Sequence, residues 1–176
     1  MNDALYFLIQ TLLGLYQGVL LLRLLMQLTR ANFRNPAARA VLQVTDPLVR
    51  PLRRLLPAAG KVDTATVVAI VAVGVVKLLL IQLLVFGTPL GADHMVRLLA
   101  VDLVRLVLRT YFFCILLYAL LSFVAQGNYS PVQDVLASIC EPIMKPIRRR
   151  LPPISGLDLT PLWVLIAIQA LLLIVR

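Results

Sequence analysis

The residue types that could do catalytic chemistry are few in this chain and stand far apart. The only histidine, His94, follows Asp93, and the two cysteines are Cys114 and Cys140. A nucleophile needs a base within hydrogen-bond reach, and a metal site needs several ligands close together. Neither set can be assembled, and no glycine-rich loop could cradle a phosphate. We therefore expect no enzymatic activity, no cofactor and no metal site.

Basic side chains are the charged groups that recur with the same spacing in two places along the chain. Six of them form two similar clusters: Arg50, Arg53, Arg54, Lys145, Arg148 and Arg149. With a net charge of +9, such clusters would suggest nucleic acid as the partner of a soluble protein. Here they flank apolar segments, so we expect them to contact anionic phospholipid headgroups or a partner protein, and we expect no nucleic acid.

One charged side chain lies in the middle of an apolar segment. Lys77 is near the centre of the run 64–86. A lysine at mid-membrane costs about 2.5–3.5 kcal/mol on insertion scales, so it should face a polar interior. Its candidate neighbours are Gln10, Gln17 and Gln82. Two interpretations stay open, a conducting or binding role, or a lysine that is simply satisfied by glutamines and backbone. Arg23, closer to the end of its run, should snorkel to the interface.

Four long apolar runs carry these residues. They extend over 4–28, 64–86, 106–125 and 159–175. Hydrophobic residues make up 61% of the chain, against roughly 45–50% in a soluble domain. Each run can cross a ~30 Å hydrocarbon core as an α-helix, because lipid offers the backbone no hydrogen-bond partner. The sequence therefore predicts an all-α membrane protein with four transmembrane helices.

The second half of the chain repeats the first. A shift of 95 residues aligns them without gaps. The aligned pairs include Pro36/Pro131, Asp46/Glu141, Pro47/Pro142, Pro51/Pro146, Arg53/Arg148, Arg54/Arg149, Pro57/Pro152 and Asp63/Asp158. Matched prolines and charges indicate a duplication. We predict two parallel repeats, at 1–86 and 96–176, each built as helix, amphipathic connector and helix, and joined by a turn over 87–93.

The basic residues are distributed unevenly about the apolar runs. The two connectors, 29–63 and 126–158, hold eleven of the seventeen lysines and arginines. The positive-inside rule then places both connectors in the cytoplasm and both termini outside. The basic cluster from Arg97 to Arg109 opposes this assignment.

Each connector contains a segment with a polar and an apolar side. If residues 36–56 form a helix, one side carries Arg39, Gln43, Asp46, Arg50, Arg53 and Arg54. The opposite side carries Val41, Val44, Leu48, Leu52 and Leu55. This pattern is typical of a helix lying in the membrane interface, although it could also be a simple tether. An acidic residue before proline can start a helix, so we expect a kink or a break near Asp46 and Glu141.

The connector sequences carry a specific signature. Residues 46–57 read DPLVRPLRRLLP and residues 141–152 read EPIMKPIRRRLP, and GLDLTP follows at 156–161. These stretches resemble the signature of the YggT family. The signature positions are Asp46, Pro47, Pro51, Pro57 and Asp63 in the first copy, and Glu141, Pro142, Pro146, Pro152 and Asp158 in the second. The first copy lacks the proline that follows the aspartate in the second.

The resemblance implies a multi-pass protein of the bacterial inner membrane, or a plastid relative, without an established catalytic activity. Members of the family have been connected with osmotic stress tolerance and ion homeostasis, with division or nucleoid organisation, and with the assembly of plastid membrane complexes. Two functions follow as alternatives. The protein organises or assembles envelope components through its cytoplasmic connectors, or it is a channel or accessory factor for ion homeostasis. Either role requires the bilayer and other membrane proteins, or further copies of this chain, as partners.

Overall fold

The structure is a computed structural model that describes residues 2–56, 62–87, 91–124, 130–149 and 158–175. Its regular elements in those ranges are all helical: α1 Asn2–Leu28, α2 Pro36–Leu55, α3 Thr64–Ile81, α4 Ala92–Val124, α5 Pro131–Arg148 and α6 Thr160–Ile174. A π-helical turn over Gln82–Phe86 continues α3. The predicted all-α class is confirmed.

In the described ranges, three helical segments are long and apolar enough to cross a membrane. They are Asp3–Leu28, Thr64–Phe86 and Ala92–Ser122. Their outer surfaces expose large apolar side chains such as Phe7 and Leu15, which lipid can cover. The chain is therefore a membrane protein. α6 is apolar but has 15 residues, or about 22 Å of helix, so by length alone it falls short of a ~30 Å core. The fourth crossing stays a prediction.

The third apolar helix begins earlier than expected. The sequence predicted a helix over 106–125 after a turn over 87–93, whereas α4 begins at Ala92. Gly87 ends the preceding helical segment with φ 68°, a left-handed conformation that glycine adopts without a Cβ clash. Asp93 and His94 lie in the first turn of α4, where a carboxylate is favoured by the helix dipole. The charged residues Arg97, Asp102, Arg105 and Arg109 therefore belong to this one long helix.

Each connector contains one continuous helix, so the expectation of two short helices meeting near Asp46 and Glu141 is wrong, while the alternative of a kink there stays a prediction. The helices begin ten or so residues earlier, at Pro36 and Pro131. The preceding residues, Asn35 and Ser130, occupy equivalent places in the two repeats. Each caps its helix by accepting a backbone N–H bond, at 2.8 and 3.4 Å, with proline as the first helical residue.

The prolines that suggested a break lie on the outward side of the connector helices. Four of them are exposed: Pro47, Pro51, Pro142 and Pro146. Proline lacks an N–H, so it frees the carbonyl one turn earlier, which on an outward side can bond to water or a headgroup. The opposite side of α2, with Thr45 and Val49, is buried in the bundle. Tertiary packing of that side keeps the helix continuous. Pro57 and Pro152 lie outside the described residues.

The helices pack as one bundle in which the two repeats touch. α1 packs mainly on α3, α4 packs on α5 and α6, and α1 and α3 both contact α4. Gly74 of α3 lets α1 approach closely, because a Cβ there would meet the side chain of Gln17. The side-chain amide of Asn35 donates to the carbonyl of Pro131 at 2.8 Å, which ties α2 to α5. The N-terminal ends of the two connector helices therefore touch.

The connector helices bury different sides. In α2 the buried residues include Ala38 and Thr45, which lie between the predicted basic and apolar sides, so Val44 and Leu55 stay exposed. In α5 part of the predicted apolar side itself is buried, including Leu136 and Ile139. α2 thus keeps exposed apolar side chains, whereas α5 uses its own for packing against the bundle.

Candidate functional site

A buried polar cluster joins α1, α3 and α4. Lys77 is 2% exposed, and its Nζ donates to Gln17 Oε1 at 2.9 Å and to the two carboxylate oxygens of Asp102 at 2.7 and 2.8 Å. Gln17 Nε2 in turn donates to the carbonyl of Ile70 at 3.1 Å. The lysine faces the interior, as its sequence position predicted. The cluster links the first repeat to the second, because Asp102 belongs to α4.

A glycine makes room for this cluster. Gly74 lies three residues before Lys77 on α3. A Cβ atom at Gly74 would come within 2.8 Å of Gln17 Nε2 and 2.9 Å of a methyl carbon of Leu99. Because Gly74 has no Cβ, the Gln17 side chain can lie against α3, where it bonds to the carbonyl of Ile70 and to Lys77.

Asp102 is the residue of this cluster that the sequence interpretation missed. The predicted helix began at residue 106, which left Asp102 outside the membrane segment. In the structure its side chain is 16% exposed and lies within α4. The signal was the apolar stretch around it, LLAVDLV at 98–104, which is continuous with the membrane run. A carboxylate embedded in such a stretch needs a cationic partner.

The signature arginines and aspartates form equivalent ion pairs in the two repeats. Arg53 binds the carboxylate of Asp63. Arg148 binds Asp158 at 2.8 Å. Asp63 lies directly before α3, and Asp158 lies two residues before the first residue of α6, where its Oδ1 also accepts the backbone N–H of Thr160 at 3.0 Å. The arginine of each connector therefore holds the start of the helix that follows.

Both aspartates remain ionised in these pairs. Burial raises the pKa of Asp63, but hydrogen bonds from Arg53 and Thr66 outweigh it, and the pKa lies below its usual value. Burial also raises the pKa of Asp158, and hydrogen bonds from Thr160 together with the charge of its arginine partner bring it below the usual value. Both pairs are therefore ionic at neutral pH.

The first acidic residue of the signature binds different partners in the two repeats. Arg23 of α1 is 3% exposed and donates to Asp46 Oδ1 and Thr45 Oγ1, both at 2.8 Å. Tyr118 of α4 occupies the equivalent place and donates to Glu141 at 3.4 Å, and Arg148 pairs with the same carboxylate at 3.2 Å. Arg23, which was expected to snorkel to the interface, is buried in the bundle, where its guanidinium meets a carboxylate of α2.

The six basic residues predicted to contact lipid or a partner fall into two groups. Arg53 and Arg148 are engaged by the aspartates described above. The other four are exposed: Arg50, Arg54, Lys145 and Arg149. Of these, Arg50 makes an ion pair with Asp46 at 2.8 Å that leaves most of its side chain in contact with the surroundings. Their contact with lipid or a partner stays a prediction.

The cysteines and the histidine do not gather into a site in the part of the chain that the structure describes. Cys114 and Cys140 are free and buried. Burial raises the pKa of the Cys140 thiol to about 12, which leaves little reactive thiolate at neutral pH. Among the described residues, no three His, Cys, Asp or Glu side chains are placed to hold a metal ion.

Two segments of the chain, residues 2–84 and 98–176, match the CCB3/YggT family. An uncharacterized protein of Pseudomonas aeruginosa is 36% identical over 171 residues, which cover 96% of this chain and 86% of that protein. The uncharacterized protein YggT of Escherichia coli K12 is 35% identical over 162 residues, covering 91% of this chain and 82% of YggT. No solved structure shows a significant match. The two matched segments fit a tandem repeat, and the chain belongs to the CCB3/YggT family.

Proposed function

We propose that this protein is a non-enzymatic, multi-pass protein of the bacterial inner membrane that organises or assembles other envelope components. Its working surface is the pair of connector helices, α2 and α5, on the cytoplasmic side. α6 completes the fourth crossing in this proposal, so that both repeats have the same orientation and present their connectors on the same face of the membrane.

The observation that carries the proposal is the placement of the signature cations. Two of the six, Arg53 and Arg148, hold the ends of membrane helices, while four point outward from α2 and α5. The N-terminal ends of the two helices touch, because Asn35 bonds to Pro131, and in this proposal the four exposed cations form a single surface. A surface of this charge favours phosphate-bearing lipid or an acidic protein.

The exposed apolar side chains of α2 support a position at the membrane surface. Val44 and Leu55 are exposed, although both are large and apolar. A helix lying in the interface would bury such residues in the acyl boundary and keep its arginines among the headgroups. The anchored connector would then present its cations at a constant height above the bilayer.

The cytoplasmic position of the connectors is the first prediction. A cysteine at Ala92, at the start of α4, should react with a membrane-impermeant thiol reagent applied to cells from outside. A cysteine at Arg39, exposed on α2, should react only after the membrane is permeabilised. The native chain serves as the background control, because both of its cysteines are buried. Labelling in the reverse pattern would invert the orientation and remove the proposed cytoplasmic surface.

The role of the four outward cations is the second prediction. Replacing Arg50, Arg54, Lys145 and Arg149 by glutamine should weaken the binding of the purified protein to anionic vesicles at least about a hundredfold, at about 1 kcal/mol per basic group. The same variant should lose crosslinked partners recovered from native membranes. Arg53 and Arg148 stay unchanged, so the ion pairs that hold α3 and α6 are kept.

A matched variant separates charge from shape. Lysine at positions 50, 54 and 149, with arginine at 145, preserves the net charge and should keep both kinds of binding. Wild-type levels of partner recovery by the glutamine variant would contradict assembly through this surface, and equal binding to neutral vesicles would contradict its electrostatic basis.

The second candidate function is ion transport, and one observation favours it. The ion pair between Lys77 and Asp102 lies inside the bundle and forms part of the wall of a cleft between α1 and α4. Charged groups within membrane segments commonly mark ion or proton pathways. The experiment that separates transport from assembly uses both members of this pair and is described in the Discussion.

A further inference from the structure

A cleft between α1 and α4 opens on the outer surface of the helical bundle. Its volume is about 430 Å³. Residues 10–22 of α1 and 105–117 of α4 form its walls, a length of about 18 Å at 1.5 Å per residue. Leu15 and Phe113 on its walls are 65% and 58% exposed, so the cleft opens sideways to the surroundings of the bundle. A lipid could enter it laterally.

The two ends of the cleft differ in chemistry. Gly18 of α1 lies level with Thr110 of α4, because a Cβ on Gly18 would be 4.0 Å from Thr110 Oγ1. Before this level the lining includes Gln10, Lys77, Asp102, Arg105 and Arg109. Beyond it the lining includes Val19, Leu22, Leu117 and Leu136. The cleft therefore has a cationic end and an apolar end, which is the pattern of a site for an amphiphile.

The cationic end carries positive charge that the described residues do not neutralise. Asp102 gives its two carboxylate oxygens to Lys77. Arg105 Nε donates to the backbone carbonyl of Val175 at 2.8 Å, which is a neutral acceptor. Within the described part of the chain, neither Arg105 nor Arg109 forms an ion pair with a carboxylate. Among the described residues these two guanidinium groups beside apolar surface therefore have no carboxylate partner, and a guanidinium in such a place is costly without an anion.

A second cleft meets the first at these arginines. It lies between α4 and α6, has a volume of about 450 Å³, and is also lined by Arg105, Arg109 and Phe113. Leu172 and Leu173 of α6 contribute its apolar side. The arginines are therefore reached from two adjoining clefts. A molecule with one anionic group and two apolar chains fits this arrangement better than a single-chain amphiphile does.

We propose that the protein binds one anionic diacyl phospholipid at this place, with its phosphate on Arg105 and Arg109 and one acyl chain in the α1–α4 cleft. Guanidinium groups bind phosphate through paired, charge-assisted hydrogen bonds. Gly14 and Gly18 have no side chains, so the α1 wall of the cleft leaves room for an acyl chain at these positions. A Cβ on Gly14 would meet no atom within 4 Å. This site is separate from the cytoplasmic connectors and would hold its lipid whether or not they bind a partner.

Binding can be measured on the purified full chain in detergent, using native mass spectrometry with phosphatidylglycerol and phosphatidylcholine of identical acyl chains. We expect one tightly held phosphatidylglycerol per chain. Replacing Arg105 and Arg109 together by glutamine should weaken it about 30-fold, the effect of losing two basic contacts. Gly14→Leu should weaken it at least as much with every charge in place, because the new side chain occupies the cleft.

Three controls keep the result specific. Arg97→Gln removes an exposed cation of α4 that does not line the cleft, and should have no effect. The connector variant with four glutamines should also keep the lipid, so failure here is distinct from failure of the proposed function. Gly14→Leu should fold normally, since leucine is a better helix former than glycine, and its thermal stability verifies this.

Several results would overturn the inference. Equal affinity for phosphatidylcholine would show that the arginines do not select an anion. An unaffected Gly14→Leu variant would place the lipid outside the cleft. Displacement of phosphatidylglycerol by millimolar inorganic phosphate alone would show that the acyl chain contributes nothing to binding.

Discussion

Lys77→Met should destabilise the folded protein by about 3–5 kcal/mol, which is the usual cost of breaking a buried ion pair from one side. The substitution removes the costly lysine, but it leaves Asp102 in the bundle with neither of its carboxylate oxygens bonded to an ammonium. It also removes the donor to Gln17 Oε1, which is fully buried. A denaturant titration of the protein in mixed micelles would measure the loss.

The double substitution Lys77→Met with Asp102→Leu should recover most of that stability. Neither charge of this pair then remains, and exchanging a buried ion pair for apolar side chains of similar volume is often neutral or stabilising. Arg97→Met on α4, the helix that carries Asp102, is the control for losing an exposed charge, and should cost less than about 0.5 kcal/mol. A double variant as unstable as the single one would show that the pair itself is not what Lys77 contributes.

The double variant also separates the two functions, which the single variant cannot do. A protein that unfolds loses any activity, so Lys77→Met would impair assembly and transport alike. The double variant should insert at normal levels without the charged pair. If the protein assembles envelope components, cells with the double variant should survive osmotic shock as wild type does. Crosslinking from their membranes should also yield the same partner proteins. Loss of shock survival at normal abundance and partner recovery would favour transport.

The overall class of the fold was predictable because it depends on long, uninterrupted patterns. Apolar runs of about 20 residues can only be helices in lipid, and a match of prolines and charges at one fixed spacing indicates a duplication. The start of α4 was not predictable in the same way. Residues 92–105 mix charged and apolar side chains, so their composition resembles a loop beside a membrane. The bonds that satisfy Asp102 and Arg105 come from other helices, and a single stretch of sequence does not show them.

Only part of the candidate site could be predicted from the sequence, because a local pattern reveals one member of a pair and not its partner on another helix. Lys77 stood out because it interrupts a run that is otherwise apolar. Its partner did not, because Asp102 is 25 residues away in the chain and on another helix. The signature ion pairs were hidden differently. Arg53 and Asp63 were both noticed, but as members of two separate motifs, and only the structure shows the arginine holding the aspartate at the start of α3.

Asp46→Ala should be as costly as Lys77→Met, at about 3–5 kcal/mol. The reason is that Arg23 loses its carboxylate while its own side chain is 4% exposed. An arginine keeps its charge at any accessible pH, so it cannot escape the penalty by giving up a proton, as a lysine can. Thr45 Oγ1 remains as an acceptor, but a hydroxyl does not neutralise a guanidinium.

The second repeat supplies a matched control for this substitution. Glu141→Ala removes the equivalent acid, but its partners there are the neutral Tyr118 and Arg148, an arginine that is more than a third exposed and keeps Asp158. We expect Glu141→Ala to cost no more than about 1.5 kcal/mol, the value of an ordinary hydrogen bond. Combining Asp46→Ala with Arg23→Met should restore most of the stability, because neither variant residue then leaves a partner charge buried without its counterion. Equal losses from Asp46→Ala and Glu141→Ala in the same micelle titration would mean that the signature acid acts through its helix alone, and that the buried arginine of the first repeat contributes nothing.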